Sequence, residues 1–224
     1  ERTMTIEAAA DLYDDIHGTP KMSRPTYVAT LNARIGKTKA HQKELAKAGE
    51  IGSQVHALIE WNLRRLLGQK VGPEPKIGDK AMWAFMAYED WAKSVSLKPI
   101  LIEQVVFSLQ HEYAGTLDLL AEVNGVLTVV DWKTGKAVYW EAHLQNVAYQ
   151  VALAEMGHQT AEAGMILRLP KVETDPNFEP VPAQDVSDLF PTFLAVKKVW
   201  EGWHAAEVKS RDEWEAKKIM ESGA

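Results

Sequence analysis

Apolar residues recur along this chain with two periods. Between Ile51 and Leu67 they return every three to four positions, at Val55, Ile59, Leu63 and Leu66 or Leu67, which predicts an amphipathic helix. Residues 38–48, dominated by Lys and Ala, predict a helical stretch before it, with Gly49 and Gly52 marking a break or a close backbone approach. The segment GQKVGPEPKIG at 68–78 must be a loop. Asp79–Ser94 returns to helix, with Met82, Trp83, Phe85, Met86 and Trp91 as a core stripe. Pro99 ends the connection to a first strand, Ile100–Leu109. Two runs rich in Val, Leu and Thr, 115–123 and 126–133, then flank Asn124-Gly125, the dipeptide best suited to a type I′ hairpin turn. A helix follows from Tyr139-Trp140 to about Met156, then a strand over Glu162–Leu169. Residues 170–183, with four Pro, read as a loop. A last helix spans Val186–Met220, with Leu189, Phe193, Val196, Trp200 and Trp203 as its packing stripe. Residues 1–24 read as an arm with a short helix at 6–16, and Thr26–Leu31 as a short strand or the start of a helix. This order supports an α+β or α/β domain.

Composition narrows the class. The chain has 224 residues, is 46% hydrophobic and 25% charged, and carries no linker-like or low-complexity tract, so one elaborated domain is expected. No apolar run approaches the roughly 20 residues needed to span a bilayer, and no signal-peptide pattern is present, so an intracellular chain without a membrane partner is the expectation. The absence of Cys rules out a disulfide framework and any thiolate metal cluster. Net charge is −6, the wrong sign for a protein that coats polyphosphate by bulk electrostatics. It does not exclude a local basic patch, for which Lys37, Lys39, Lys43, Lys47, Arg64 and Arg65 are the candidates.

The hairpin carries charges where a buried strand should have none. Asp118, Asp131 and Lys133 sit in it, apart from Glu122 beside the turn. A buried charge costs several kcal/mol unless paired or bound to a metal. Asp131 and Lys133, two residues apart, point to one face of a strand. Asp118 reaches that face if the register allows. Two carboxylates and an ammonium converging there offer hard oxygen ligands suited to Mg²⁺ or Mn²⁺. The plainer alternative is a solvated hairpin with a surface Asp–Lys pair.

Gly115-Thr116-Leu117-Asp118, a hairpin, Asp131-Trp132-Lys133-Thr134-Gly135 and a helix carrying Gln145-Asn146-Val147-Ala148-Tyr149 follow one another in order. This series resembles the PD-(D/E)XK nuclease superfamily, specifically its RecB-like, phage-type exonuclease branch. There the pattern is G-x-x-D, then D/E-x-K-T-G, then Q-x-x-x-Y, with a His on an upstream helix. His56, in GSQVHALIE, stands where that His is expected. The four pieces span somewhat under half the chain. Asp131 replaces the commoner Glu, and Trp132 is bulky at the middle position.

The resemblance implies a restriction-endonuclease-like αβββαβ core, an α/β fold with a mixed central sheet flanked by helices and with N- and C-terminal helical additions. It would occupy 1–224 as one domain, with an arm at 1–37, the core at 38–170 and a helical cap at 184–220. It implies a divalent-metal-dependent DNA nuclease, an exonuclease of recombination, repair or phage DNA metabolism. Asp118, Asp131, His56 and the backbone carbonyl of Trp132 would hold Mg²⁺ or Mn²⁺, and Glu103, the lone charge in its strand, is a candidate accessory acid. Lys133 would orient the attacking water. Gln145 and Tyr149, four apart and so neighbours on one helix face, would position the DNA strand or active-site groups. Glu60 shares the face of His56 and could orient its ring, and Arg168 could reach the nucleic acid. DNA is the implied partner, with a homo-oligomer or a recombination or helicase protein as further ones. The competing expectations are a catalytically weak nucleic-acid-binding scaffold of a larger complex and an unrelated interaction protein without metal dependence.

Overall fold

The turn at Asn124-Gly125 sets the register of the central sheet. In the computed structural model, which describes residues 46–175 and 177–222 (side chains to 214), both turn residues are left-handed, with φ of 52° and 86°. A type I′ turn requires this of both its central positions. The Asn124 amide and side chain also bond Ser96, at 2.9 and 2.8 Å, which fixes the hairpin tip to the start of the preceding strand.

The chain divides into two compact units, 1–53 and 54–224; of the first, only residues 46–53 are described, and they are helical. In chain order the elements are helix α1 (46–66), α2 (Asp79–Ser94), strands β1 (Leu97–Ser108), β2 (Tyr113–Val123) and β3 (Val126–Thr134), helix α3 (Trp140–Glu155), β4 (Ala163–Leu169), β5 (Glu179–Pro182) and α4 (Val186–Ser222). The five strands form one sheet in the order β1-β2-β3-β4-β5. Strands β1, β2 and β3 are antiparallel neighbours, β4 runs parallel to β3, and β5 is antiparallel to β4. The parallel step needs a crossover, and α3 supplies it. This is the expected α/β arrangement, a mixed sheet flanked by helices in the order αβββαβ.

Helix α3 buries Val147, Tyr149, Ala152 and Leu153 among its apolar residues; Tyr149, Ala152 and Leu153 join Val106, Leu117, Leu120 and Val129 of the sheet. On α2, Tyr88 and Trp91 meet Trp132 of β3 edge-on, with ring centroids 5.5 and 5.7 Å apart. Trp132 and Lys133 are successive residues of one strand, so their side chains leave it on opposite sides.

Several expectations need correction. No break occurs at Gly49 or Gly52: both lie within continuous helix. Leu66 and Leu67 are exposed, so the buried stripe of α1 ends at Leu63. On α2, Met82 and Met86 are exposed while Tyr88 is core. Strand β1 begins at Leu97, not Ile100; it takes in Pro99 through a register shift between Pro99 and Leu101. The stretch 170–183 is not all loop, because β5 pairs with β4 there. Prolines 180 and 182 are tolerated because β5 is an edge strand. In α4, Leu189 packs on Leu144 and Val147, and Phe193 against that cluster, but Val196, Trp200 and Trp203 are exposed rather than core. The arm at 1–37, its helix at 6–16, the segment Thr26–Leu31, most of the stretch 38–48, and Lys37, Lys39 and Lys43 lie outside the described residues.

Candidate active site

The β2–β3 ladder pairs residue by residue from Val123–Val126 to Leu119–Val130. One step further, where Asp118 faces Asp131, side chain replaces backbone: Asp118 Oδ2 accepts a hydrogen bond from the Trp132 amide at 2.7 Å. Leu117 and Leu120, three apart, both pack in the cluster beneath α3, so the strict alternation of β2 breaks around Asp118. Both carboxylates are buried, Asp118 at 7% exposure and Asp131 at 1%.

Asp131 and Lys133 share a face, as their spacing predicts. The Lys133 ammonium lies 3.0 Å from Asp131 Oδ1, to which it donates, and 2.8 Å from Oδ2. Lys133 also donates to Gln145 Oε1 at 2.8 Å, and Gln145 Nε2 donates to the Tyr149 hydroxyl at 2.6 Å. The series Asp131–Lys133–Gln145–Tyr149 is thus continuous. It depends on Gly115, because a Cβ there would lie 2.6 Å from Tyr149 Cε1.

A second group meets Asp118 from its other side. His56 of α1 places Nδ1 3.3 Å from Asp118 Oδ1 and 3.7 Å from Glu103 Oε1, and Nε2 3.2 Å from the Trp132 carbonyl. One ligand atom from each of His56, Glu103 and Asp118 falls within 4.8 Å of the others. Glu103 gets there through an unusual backbone. Its φ is +47°, left-handed for a residue with a Cβ, at a cost of about 1–2 kcal/mol. It stands opposite Asp118, between the pairs Ile102–Leu119 and Gln104–Leu117.

The electrostatics follow from the crowding. Burial pulls the His56 imidazolium down, but hydrogen bonds and charge from Asp118 and Glu103 outweigh it and lift the ring to about 10. Burial, then the charge of Asp118, pushes Asp131 up to about 7 against the pull of Lys133. Three carboxylates and an imidazole this close are more negative than one lysine balances. A divalent cation suits them: the donors are hard oxygens with one imidazole, and one ligand atom from each of His56, Glu103 and Asp118 already converges on one point.

Asp131 is not in the three-residue cluster of His56, Glu103 and Asp118, although it feels the charge of Asp118 and His56. Glu60 does not orient His56; it pairs with Arg64 at 2.8 Å. Arg168 is not directed at a ligand. It is buried and bonds Asp175 at 2.8 Å and Glu179 at 2.7 Å, tying β4 to the segment before β5 and to β5. Of the candidate basic residues, Arg64 bonds Glu60, Gln69 and the Ile102 carbonyl, and Arg65 is exposed and lies over the Trp61 ring at 5.3 Å. Sequence reasoning missed Asn146. Fully buried on α3, it donates to the Val129 carbonyl at 3.1 Å and the Met165 carbonyl at 3.4 Å, and it accepts from Gln150 at 2.8 Å. Its signal was the spacing of three polar residues, His143, Asn146 and Gln150, along one face of a helix that buries it.

A family model of the PD-(D/E)XK nuclease superfamily matches residues 74–217, from the segment before α2 into α4. The chain belongs to that superfamily. Membership implies a metal-dependent nuclease, a hydrolase of phosphodiester bonds in nucleic acid. His56 and the rest of α1 precede the matched residues. No curated protein matches the chain. Among the described residues no helix is long and apolar enough to cross a membrane.

Proposed function

We propose that this chain is a DNA exonuclease of the RecB-like branch, working in recombination, repair or phage DNA metabolism. The observation that carries the reading is Asp131, a carboxylate buried to 1% exposure and held against a lysine that a glutamine fixes in turn. A surface Asp–Lys pair has no need of such burial.

Asp118, Asp131 and His56 would hold Mg²⁺ or Mn²⁺ together with the Trp132 carbonyl, and Glu103 would serve as accessory acid. When bound, the ion supplies Lewis-acid polarisation of the phosphoryl oxygen and a lowered pKa for water. Lys133 orients the attacking water and offsets charge that develops on the phosphate. Gln145, accepting one Lys133 proton, keeps the ammonium over the site rather than folded onto Asp131 alone. Tyr149 holds Gln145 in turn. Both are positioning residues. The His56 side chain favours Mn²⁺ at least as much as Mg²⁺, because imidazole is a poorer ligand for the harder ion.

The test is digestion of end-labelled linear and closed-circular DNA with Mg²⁺, Mn²⁺ or EDTA, beside Lys133→Ala. The expected result is metal-dependent loss of linear DNA alone, abolished in the variant. Cleavage of the circle would overturn the exonuclease reading and leave an endonuclease. Cleavage of RNA in preference to DNA would overturn the substrate. No cleavage and no metal binding would leave a scaffold that retains the fold.

A further inference from the structure

Helix α1 contributes more than His56. Glu60 and Arg64 follow at four-residue spacing, so the three side chains run along one side of the helix. Arg64 is held in place: Nε donates to Glu60 Oε1 at 2.8 Å and Nη1 to Gln69 Oε1 at 3.2 Å. With its fork fixed by those two partners, Nη2 donates to the Ile102 carbonyl at 3.1 Å. That carbonyl belongs to the peptide that joins Ile102 to Glu103, and the left-handed φ of +47° is the torsion that follows it.

A strand residue adopts this conformation only when its surroundings over-determine it. The β1–β2 register holds on either side, at Ile102–Leu119 and Gln104–Leu117, so the kink is local to Glu103. There the Glu103 carboxylate lies 3.7 Å from His56 Nδ1. We infer that Arg64 is a positioning residue for the metal site: by clamping the Ile102 carbonyl it holds the kink that aims Glu103 at His56 and Asp118, and so sets the affinity of the site for a divalent ion. The inference rests on the metal-site reading above and adds a residue to it. Its three committed donors distinguish Arg64 from an arginine waiting for a phosphate. The same helix thereby carries both a ligand and the clamp for a second one, eight residues apart.

The experiment is Mn²⁺ titration by calorimetry of the full chain and of Arg64→Ala, Arg64→Lys, Glu103→Gln and the double variant Arg64→Ala/Glu103→Gln. Outer residues that orient metal ligands typically contribute 10- to 100-fold in affinity, so Arg64→Ala is expected to weaken Mn²⁺ by about 10-fold or more. The double variant is expected to bind no more weakly than Glu103→Gln, because the clamp has nothing left to aim. Arg64→Lys keeps the stem and one donor; it is expected to recover part of the loss, and it serves as the second variant if Arg64→Ala unfolds. Wild-type affinity in Arg64→Ala, or losses that add in the double variant, would overturn the inference while leaving the metal site intact. Absence of Mn²⁺ binding by the wild type would overturn the metal site and this inference with it.

Discussion

Gly115 and Tyr149 occupy one space. A methyl group on Gly115 would sit 2.6 Å from Tyr149 Cε1 and 3.2 Å from its hydroxyl, closer than packed atoms tolerate. The first residue of the G-x-x-D segment is therefore a glycine for the sake of the last residue of Q-x-x-x-Y. The two motifs are one contact, made across β2 and α3.

Replacing Gly115 by Ala is thus expected to displace the Tyr149 ring and break its 2.6 Å bond to Gln145. Overpacking of this kind costs about 1–3 kcal/mol. Urea unfolding measures that loss, and the cleavage rate should fall with it. The penalty should vanish in a Tyr149→Ala background, where the added methyl has room. An equal penalty in both backgrounds would show that the contact is not what makes the glycine necessary.

Gln145→Ala removes the partner that shares Lys133 with Asp131. Hydrogen bonds to charged groups contribute about 1.5–3 kcal/mol, so the cleavage rate is expected to drop by roughly 10- to 100-fold. Gln145 lies outside the proposed ligand set, so Mn²⁺ affinity should stay within about threefold of wild type. A large loss of metal affinity in this variant would place Gln145 among the ligands instead.

The elements of this fold were legible because each has a local cause. Asn124-Gly125 demanded a hairpin, and the periodicity of 79–94 demanded a helix. The i, i+2 spacing of Asp131 and Lys133 placed both on one face, where their 3.0 Å bond is found. What escaped depends on contacts between distant residues. The strand at 179–182 hides behind Pro180 and Pro182, and only its edge position on β4 permits it. The kink at Glu103 and its contact with Arg64 join residues 38 and 39 positions apart, beyond any window of periodicity. Val196, Trp200 and Trp203 kept helical spacing, but that pattern does not identify the surface a helix meets.

Asn146 is the clearest case of a buried polar contact that local pattern does not assign. Its side chain ties α3 to both β3 and β4, and the glycine at 164 makes room for it: a Cβ there would come within 2.2 Å of Asn146 Oδ1. Asn146→Ala takes from the Gln150 amide its buried acceptor and from the Val129 and Met165 carbonyls a side-chain donor, and an unsatisfied buried group costs about 1–3 kcal/mol. A loss of that order is expected on chemical denaturation, with Gly164→Ala losing a similar amount. A loss below about 0.5 kcal/mol, the scale of an ordinary surface change, would mean that water replaces the amide.

The last prediction concerns protons. In the metal-free protein both His56 and Asp131 are raised, to about 10 and about 7 from 6.5 and 3.8. For each, the folded state holds a proton that the unfolded state releases more readily. The stability each contributes is therefore complete below its unfolded value and lost as pH climbs through its folded value. Asp131 sets the lower window, from about 4 to about 7, and His56 the upper, from about 6.5 to about 10. In EDTA the melting temperature should fall steadily from about pH 5 to about pH 9, by about 2–4 °C for each kcal/mol of linkage. Divalent metal reverses the slope, since ligands bind it deprotonated and affinity rises as competing protons leave. The thermal shift produced by Mn²⁺ should accordingly be larger at about pH 8 than at about pH 6. His56→Gln should flatten the upper window and Asp131→Asn the lower one. A metal-induced shift that ignores pH would mean that the ion binds elsewhere, because no site built on these two groups can take a cation without displacing their protons.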